Sequence, residues 1–150
     1  MAAQPTIHAS AVLIGAKAVL IRGPSGSGKS SLAWGLISAS SQGLLSFARL
    51  VGDDRLEATA RSGRLLARPA AELEGLIEIR GFGIRRLQFE KVAVVGWVVD
   101  LAAPDAVRQP APRSAEAEIA GITLPRLAVA EGRGVLPLVL AALNSLPAAD

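Results

Sequence analysis

Gly23, Pro24, Ser25, Gly26, Ser27, Gly28, Lys29 and Ser30 follow the pattern G-x-x-x-x-G-K-[ST], whose chemistry is the binding of a polyphosphate. To wrap phosphate, the backbone must turn its N–H groups inward, and a side chain at most of these positions would collide with the anion. Glycine removes that collision. Lys29 supplies a point charge for the β and γ phosphates and Ser30 a hydroxyl for Mg²⁺, while a helix opening at Lys29 aims its positive end at the same anion. ATP and Mg²⁺ are therefore the expected ligands. A Gly/Ser-rich turn can match such a pattern by accident, but residues 18–21 read as a buried strand and 31–38 as a helix start, the setting such a loop requires.

A phosphate loop does not say where the γ-phosphoryl group goes. Asp53 and Asp54 follow an apolar run and offer two carboxylates, one to take a hydroxyl proton or orient a nucleophile, the other to reach Mg²⁺. The plainer reading is a structural pair of loop acids. Glu78 is a lone acid in an apolar strand, a costly placement unless it faces water, Arg80 or a metal. His8, the one histidine, lies on the strand expected beside the loop strand; it is either a satisfied structural residue or a hydrogen-bond partner that tunes Asp53.

The elements that must position these groups can be read in order. Residues 6–14 and 17–21 are strand-like runs parted by Gly15-Ala16, a hairpin feeding the phosphate loop. A helix is predicted from Lys29 to about Ser38, with Leu32, Trp34, Leu36 and Ile37 on its buried face, and a Ser/Gln/Gly cluster stops it. Residues 44–51 read as a strand that delivers Asp53 and Asp54 at its carboxyl end, where open α/β sheets place their chemistry. Residues 56–60 and 65–67 form a second predicted hairpin, 69–74 a short helical turn, and 76–81 a strand with Glu78 and Arg80 on one face. Residues 92–101 predict a central strand interrupted at Gly96 and ended by Asp100. Pro104, Pro110 and Pro112 mark 102–117 as a mobile surface segment within a single domain over 1–150, since the residues beyond it are too few for a core of their own. A strand over 119–124 is expected to stop before Pro125. A last helix over 135–146 is expected to pack Leu136, Leu138, Val139, Leu140 and Leu143 on the sheet.

Composition narrows the class. Hydrophobic residues make up 51% of the chain but aromatics only 3%, so the core must be built from Val, Leu, Ile and Ala, as in sheets covered by helices. The expected fold class is α/β. With no cysteine there can be no disulfide framework, thiolate metal site or cysteine nucleophile. No apolar run is long enough to span a bilayer and the first residues lack a secretion signal, so a soluble, cytoplasmic protein is expected. The net charge of +3 comes from scattered arginines without interleaved aromatics, which argues for a solvated basic surface or an acidic protein partner over nucleic acid.

Taken together, His8 in Ile7-His8-Ala9, the loop from Gly23 to Ser30, Leu50-Val51-Gly52-Asp53-Asp54 and Ile77-Glu78-Ile79-Arg80-Gly81-Phe82-Gly83-Ile84 resemble, in the same order, the catalytic domain of HPr kinase/phosphorylase. A further stretch, Ile122-Thr123-Leu124-Pro125 through Asn144, is similar to the family's carboxyl-terminal part. The resemblance implies a P-loop kinase domain with a mixed sheet, similar to that of phosphoenolpyruvate carboxykinase, in a short form without the family's amino-terminal domain. It implies an ATP- and Mg²⁺-dependent serine kinase, and phosphorylase, acting on the phosphocarrier HPr of the phosphotransferase system, assembled as a hexamer. It implies Asp53 as general base supported by His8, Lys29 on the phosphates, and Ser30 and Glu78 on Mg²⁺; the reading of the Asp53–Asp54 pair adds Asp54 as the further carboxylate for the metal. One departure stands out. The family's longer glycine-rich loop with its catalytic arginine is replaced by a direct passage from Ile84 through Arg85 and Arg86 to Val92. An ATP-sensing module that binds nucleotide without phosphotransfer is the alternative this shortening supports.

Overall fold

In the computed structural model, which describes residues 6–106, 116–132 and 134–145, the apolar runs become strands of a mixed sheet. In chain order the elements are β1 (Thr6–Ile7), β2 (Ala9–Ile14), β3 (Lys17–Arg22), α1 (Lys29–Ser41), β4 (Ala48–Gly52), β5 (Leu56–Arg61), β6 (Arg64–Pro69), β7 (Leu76–Ile79), β8 (Gly83–Arg86), β9 (Ala93–Asp100), β10 (Glu116–Ile119), β11 (Ile122–Ala128) and α2 (Val135–Asn144). The sheet order is β1-β5-β6-β9-β3-β2-β4, with β11 also paired to β9 and β10 to β11; β7 and β8 form a separate two-stranded sheet. β9 is central because its amino-terminal end pairs with β6, its carboxyl-terminal end with β11, and its other edge with β3.

The strand directions decide where chemistry can sit. β9 and β11 run parallel to one another and to β3, and β4 runs the same way because both it and β3 are antiparallel to β2. Their carboxyl ends therefore meet at one rim of the sheet, and from that rim leave the phosphate loop, the Asp53–Asp54 turn and Asp100.

Two cores lie on the two faces. On one, Leu32, Ala33, Leu36 and Ala39 of α1 pack on Val12, Val19, Ile21 and Val99, and α2 lies over α1 through Leu136 and the buried Val139. On the other, Leu20, Val51, Leu56, Leu65 and Val98 pack together with Ala117 and Leu124 of the β10–β11 hairpin. Each fully buried Leu or Ile contributes about 1.5–3 kcal/mol.

Several elements differ from the sequence reading. α1 runs on to Ser41, where Gly43 at φ 79° turns the chain and the Leu44 amide donates back to the Ala39 carbonyl at 2.8 Å, so 44–47 close the helix instead of opening β4. Trp34 is not on the buried face but 39% exposed, because the stripe Leu32, Ala33, Leu36, Ala39 leaves position 34 to one side. Leu138 of α2 is likewise exposed, since α2 rests chiefly on α1. Pro125 lies inside β11, at the point where its pairing passes from β10 to β9 and no ladder N–H is required of it. Gly96 is a bulge: Ala18 pairs Val95 and Val19 pairs Trp97, and a Cβ on Gly96 would lie 2.9 Å from the Lys17 side chain. Of the segment 102–117, residues 107–115 lie outside the described residues, as does Leu146.

Candidate active site

The phosphate loop leaves β3 at Gly23 and enters α1 through Gly28, whose φ of 102° is a left-handed conformation open to glycine. Neither a capping side chain nor an acidic residue covers the first turn of α1, so its amide groups and positive end remain available to an anion. Gly23 is required by close approach: a Cβ there would lie 2.5 Å from Ser27 Oγ and 3.1 Å from the Leu101 side chain. Ser27 Oγ is itself buried without a hydrogen-bond partner among the described residues, a polar atom held inside the loop. Lys29 is buried, and its Nζ donates to the Gly23 carbonyl at 2.9 Å and the Pro24 carbonyl at 3.2 Å.

The two aspartates occupy different environments. β4 carries a bulge at Val51, since Ala11 pairs Gly52 but Val12 pairs Leu50, and this turns the strand end toward α1. Asp53 is buried and accepts hydrogen bonds from Ser10 Oγ at 2.6 Å, from Ser30 Oγ at 2.8 Å on each oxygen, and from the Glu78 amide at 3.3 Å. Asp54, at φ 72°, points outward and its Oδ1 lies 2.6 Å from His8 Nε2. The expected contact between His8 and Asp53 is therefore corrected: β1 ends before His8 and turns the imidazole to the exposed carboxylate.

Glu78 and Arg80 are separated by the same kind of local turn. β7 stops at Ile79, and the three residues Arg80, Gly81 and Phe82 form a tight loop closed by the Phe82 amide on the Ile79 carbonyl at 2.9 Å. Arg80 thus belongs to the loop and not to the face of Glu78, and among the described residues the two form no ion pair. The hairpin is anchored at its base by the Leu87 amide on the Gly75 carbonyl, by Phe89 beside Leu50 and by buried Ile77.

These parts enclose an open cavity of about 600 Å³ lined by His8, Ser25, Gly26, Gly28, Lys29, Ser30, Asp54, Glu78 and the tip of the β7–β8 hairpin, including Arg80. The volume suits a nucleotide-sized ligand. Arg85 and Arg86 do not line it; Arg85 instead lies over the Phe82 ring, 4.6 Å from its centre. Ser30, Glu78 and Asp54 offer one hydroxyl and two carboxylates. That donor set fits Mg²⁺, which keeps several waters and takes most of its ligands from phosphate, and no cluster of three or more His, Cys, Asp or Glu builds a closed cage among the described residues.

Beside the loop is a group that sequence reading passed over. Asp100 ends β9 opposite Arg22, which holds both its oxygens at 2.7 and 2.8 Å, and Arg126 reaches the same carboxylate while binding Asp105 with its other nitrogens. Burial alone would raise the Asp100 carboxyl, but hydrogen bonds from Arg22 and Arg126, with their charges, hold it below the ordinary value of 3.8. Hydrogen bonds to Asp105 and Asp100 raise the Arg126 guanidinium. An acid ending an apolar strand next to the loop strand looks like a metal ligand, yet the arginines occupy it. Ser10 was also missed; its one signal is a hydroxyl residue inside the apolar run Ala9–Ile14.

Sheet, loop and acid turn define a P-loop domain with a mixed sheet. The family model described as the HPr Serine kinase C-terminal domain matches residues 1–96 of the 150, and the chain belongs to that family. HPr kinase/phosphorylase of Mycoplasma mycoides subsp. mycoides SC is 40% identical over 77 residues, covering 51% of this chain and 22% of the relative. The protein of the same name from Streptococcus thermophilus is 40% identical over 85 residues, covering 56% and 25%. The chain thus matches about a quarter of the length of these relatives. The structure of the Hpr(Ser) kinase/phosphatase from Coxiella burnetii superposes with a TM-score of 0.74 at 24% identity, covering 93% of this chain and 88% of the other, a likeness of fold. No helix among the described residues is long and apolar enough to cross a membrane.

Proposed function

We propose that this chain is an ATP- and Mg²⁺-dependent protein-serine kinase unit that phosphorylates HPr, or an HPr-like phosphocarrier, and in phosphorolysis passes the phosphoryl group from phosphoserine to inorganic phosphate. The observation that carries this is the placement of a buried carboxylate, Asp53, at 2.8 Å from Ser30 of the phosphate loop, which itself lines the open cavity. The loop amides from Gly23 to Ser30 and the start of α1 bind the phosphates. Lys29 exchanges the Gly23 and Pro24 carbonyls for phosphate oxygens, keeping its charge compensated in both states. Mg²⁺ bound with the nucleotide would supply charge neutralisation of the phosphates, and Ser30, Glu78 and Asp54 are the residues that would hold it.

Asp53 takes the proton from the acceptor serine as its oxygen attacks the γ phosphorus and the bond to the β-phosphate oxygen breaks. In phosphorolysis inorganic phosphate attacks the phosphoserine phosphorus, the bond to the serine oxygen breaks, pyrophosphate forms, and Asp53 passes a proton from the attacking phosphate to the serine oxygen. His8 acts through Asp54, fixing the outer carboxylate at the cavity mouth. Arg80 is the arginine of the 80–86 hairpin that lines the cavity. Cytoplasmic location and hexameric assembly, which the family resemblance implies, belong to the same proposal.

Incubation with ATP and purified HPr, followed by mass spectrometry, tests it: one acid-stable phosphoserine on HPr is expected, and unmodified HPr contradicts it. The direct passage from β8 to β9 favours a second reading, a nucleotide-sensing module. Nucleotide affinity unchanged in Asp53→Asn, with no transfer by either form, would select that reading.

A further inference from the structure

Ser10 is fully buried on the face of β2 that it shares with Val12, where its cross-strand partner is Ile21 and the surroundings are apolar. A hydroxyl in such a place costs free energy unless its hydrogen bonds are made. Its Oγ donates to Asp53 Oδ1 at 2.6 Å and accepts from the Asp54 amide at 3.4 Å, while the Ala9 amide donates to the Asp54 carbonyl at 3.1 Å. The start of β2 therefore grips the acid turn three times, at a place where Asp54 holds a left-handed conformation unusual for a residue with a side chain. Ser30 approaches the same carboxylate from the loop side, so Asp53 is held from two directions, by the sheet and by the loop.

We infer that Ser10 is a positioning residue of the phosphoryl-transfer site, fixing the rotamer of Asp53 and the backbone of the Asp53–Asp54 turn. The inference rests on the kinase reading above, and it separates the two serines. Ser30 faces the ligand; Ser10 never meets it and acts only through the Asp53–Asp54 turn.

The test compares Ser10→Ala and Ser10→Cys, the second keeping volume with only a weak S–H donor. With ATP and purified HPr as probes, kcat falls on the order of 10- to 100-fold in both variants while KM for ATP stays within about twofold, the size expected for one hydrogen bond to a charged group. In an Asp53→Asn background Ser10→Ala adds little further loss, because the two act as one unit. Without nucleotide, amide hydrogen exchange at 53–55 speeds up by about tenfold or more while α1 is unchanged. Unchanged exchange at 53–55, or full additivity with Asp53→Asn, overturns the inference. If the unsubstituted chain transfers nothing to HPr, the kinase reading fails, and the exchange comparison still decides the role of Ser10.

Discussion

Ser30 Oγ donates to both carboxylate oxygens of Asp53 at 2.8 Å, joining the first turn of α1 to the end of β4 across 23 positions of sequence. The contact arises from strand direction, since β3 and β4 point the same way and leave their following loops on one rim. A hydroxyl suited to Mg²⁺ and a carboxylate suited to a proton are thereby placed within one hydrogen bond of each other.

Gly23→Ala should disable the loop through steric conflict within it. The new methyl group meets Ser27 Oγ at 2.5 Å and the Leu101 side chain at 3.1 Å, so Ser27 must leave the loop interior. Affinity for ATP, measured by calorimetry, is expected to fall by about tenfold or more, equivalent to about 1.4 kcal/mol. Unchanged affinity would show that the loop interior has room to spare.

Asp54→Asn and His8→Ala should resemble one another, because the two residues meet at 2.6 Å and have no such link to Asp53. His8→Ala is expected to slow transfer by about tenfold, in the range of one charge-assisted hydrogen bond, and Asp54→Asn by at least as much, because Asp54 is also a proposed Mg²⁺ ligand. The double variant should be little worse than Asp54→Asn alone, because His8 acts through Asp54. Steady-state rates of HPr phosphorylation check this, and a multiplicative double variant would separate the pair.

Asp100→Asn tests the ion-pair group beside the loop. The folded-state carboxyl lies below its ordinary value of 3.8, so its stabilisation is complete above that value and is lost as pH falls through the lower, folded one. The substitution is expected to cost about 2 kcal/mol at pH 7, which for a chain of this size lowers the melting temperature by about 4–8 °C. The same gap should persist at pH 5 and close as the solution is taken below about pH 3.8. A gap that widens in acid would contradict the assignment.

Much of this architecture is legible in the sequence. The strand–loop–helix around Gly23 to Ser30 and the hairpins over 9–22 and 56–69 follow from apolar runs and glycine punctuation, which are local signals. The acids at the end of β4 were visible for the same reason. What was not visible depends on pairing partners far away in sequence. Pro125 reads as a strand end unless one knows that β11 changes partner there. His8 reads as a neighbour of Asp53 unless the bulge at Val51 and the left-handed Asp54 are known, because one residue of register exchanges the two carboxylates. Ser10 gives almost no signal, since a serine among alanines and valines reads as filler until Asp53 is placed against it.

The most direct measurement is the transfer of phosphate from ATP to purified HPr by Asp53→Asn and by the unsubstituted chain, with ATP affinity measured on the same samples. Asparagine keeps the size of the side chain and its hydrogen bonds with Ser10 and Ser30 in part, but it cannot take the serine proton. ATP affinity within about threefold of the original, together with transfer reduced on the order of 10²- to 10⁴-fold, is the predicted result. Transfer at an undiminished rate in Asp53→Asn, with Asp54→Asn inactive, would contradict the account and move the proton to the outer carboxylate.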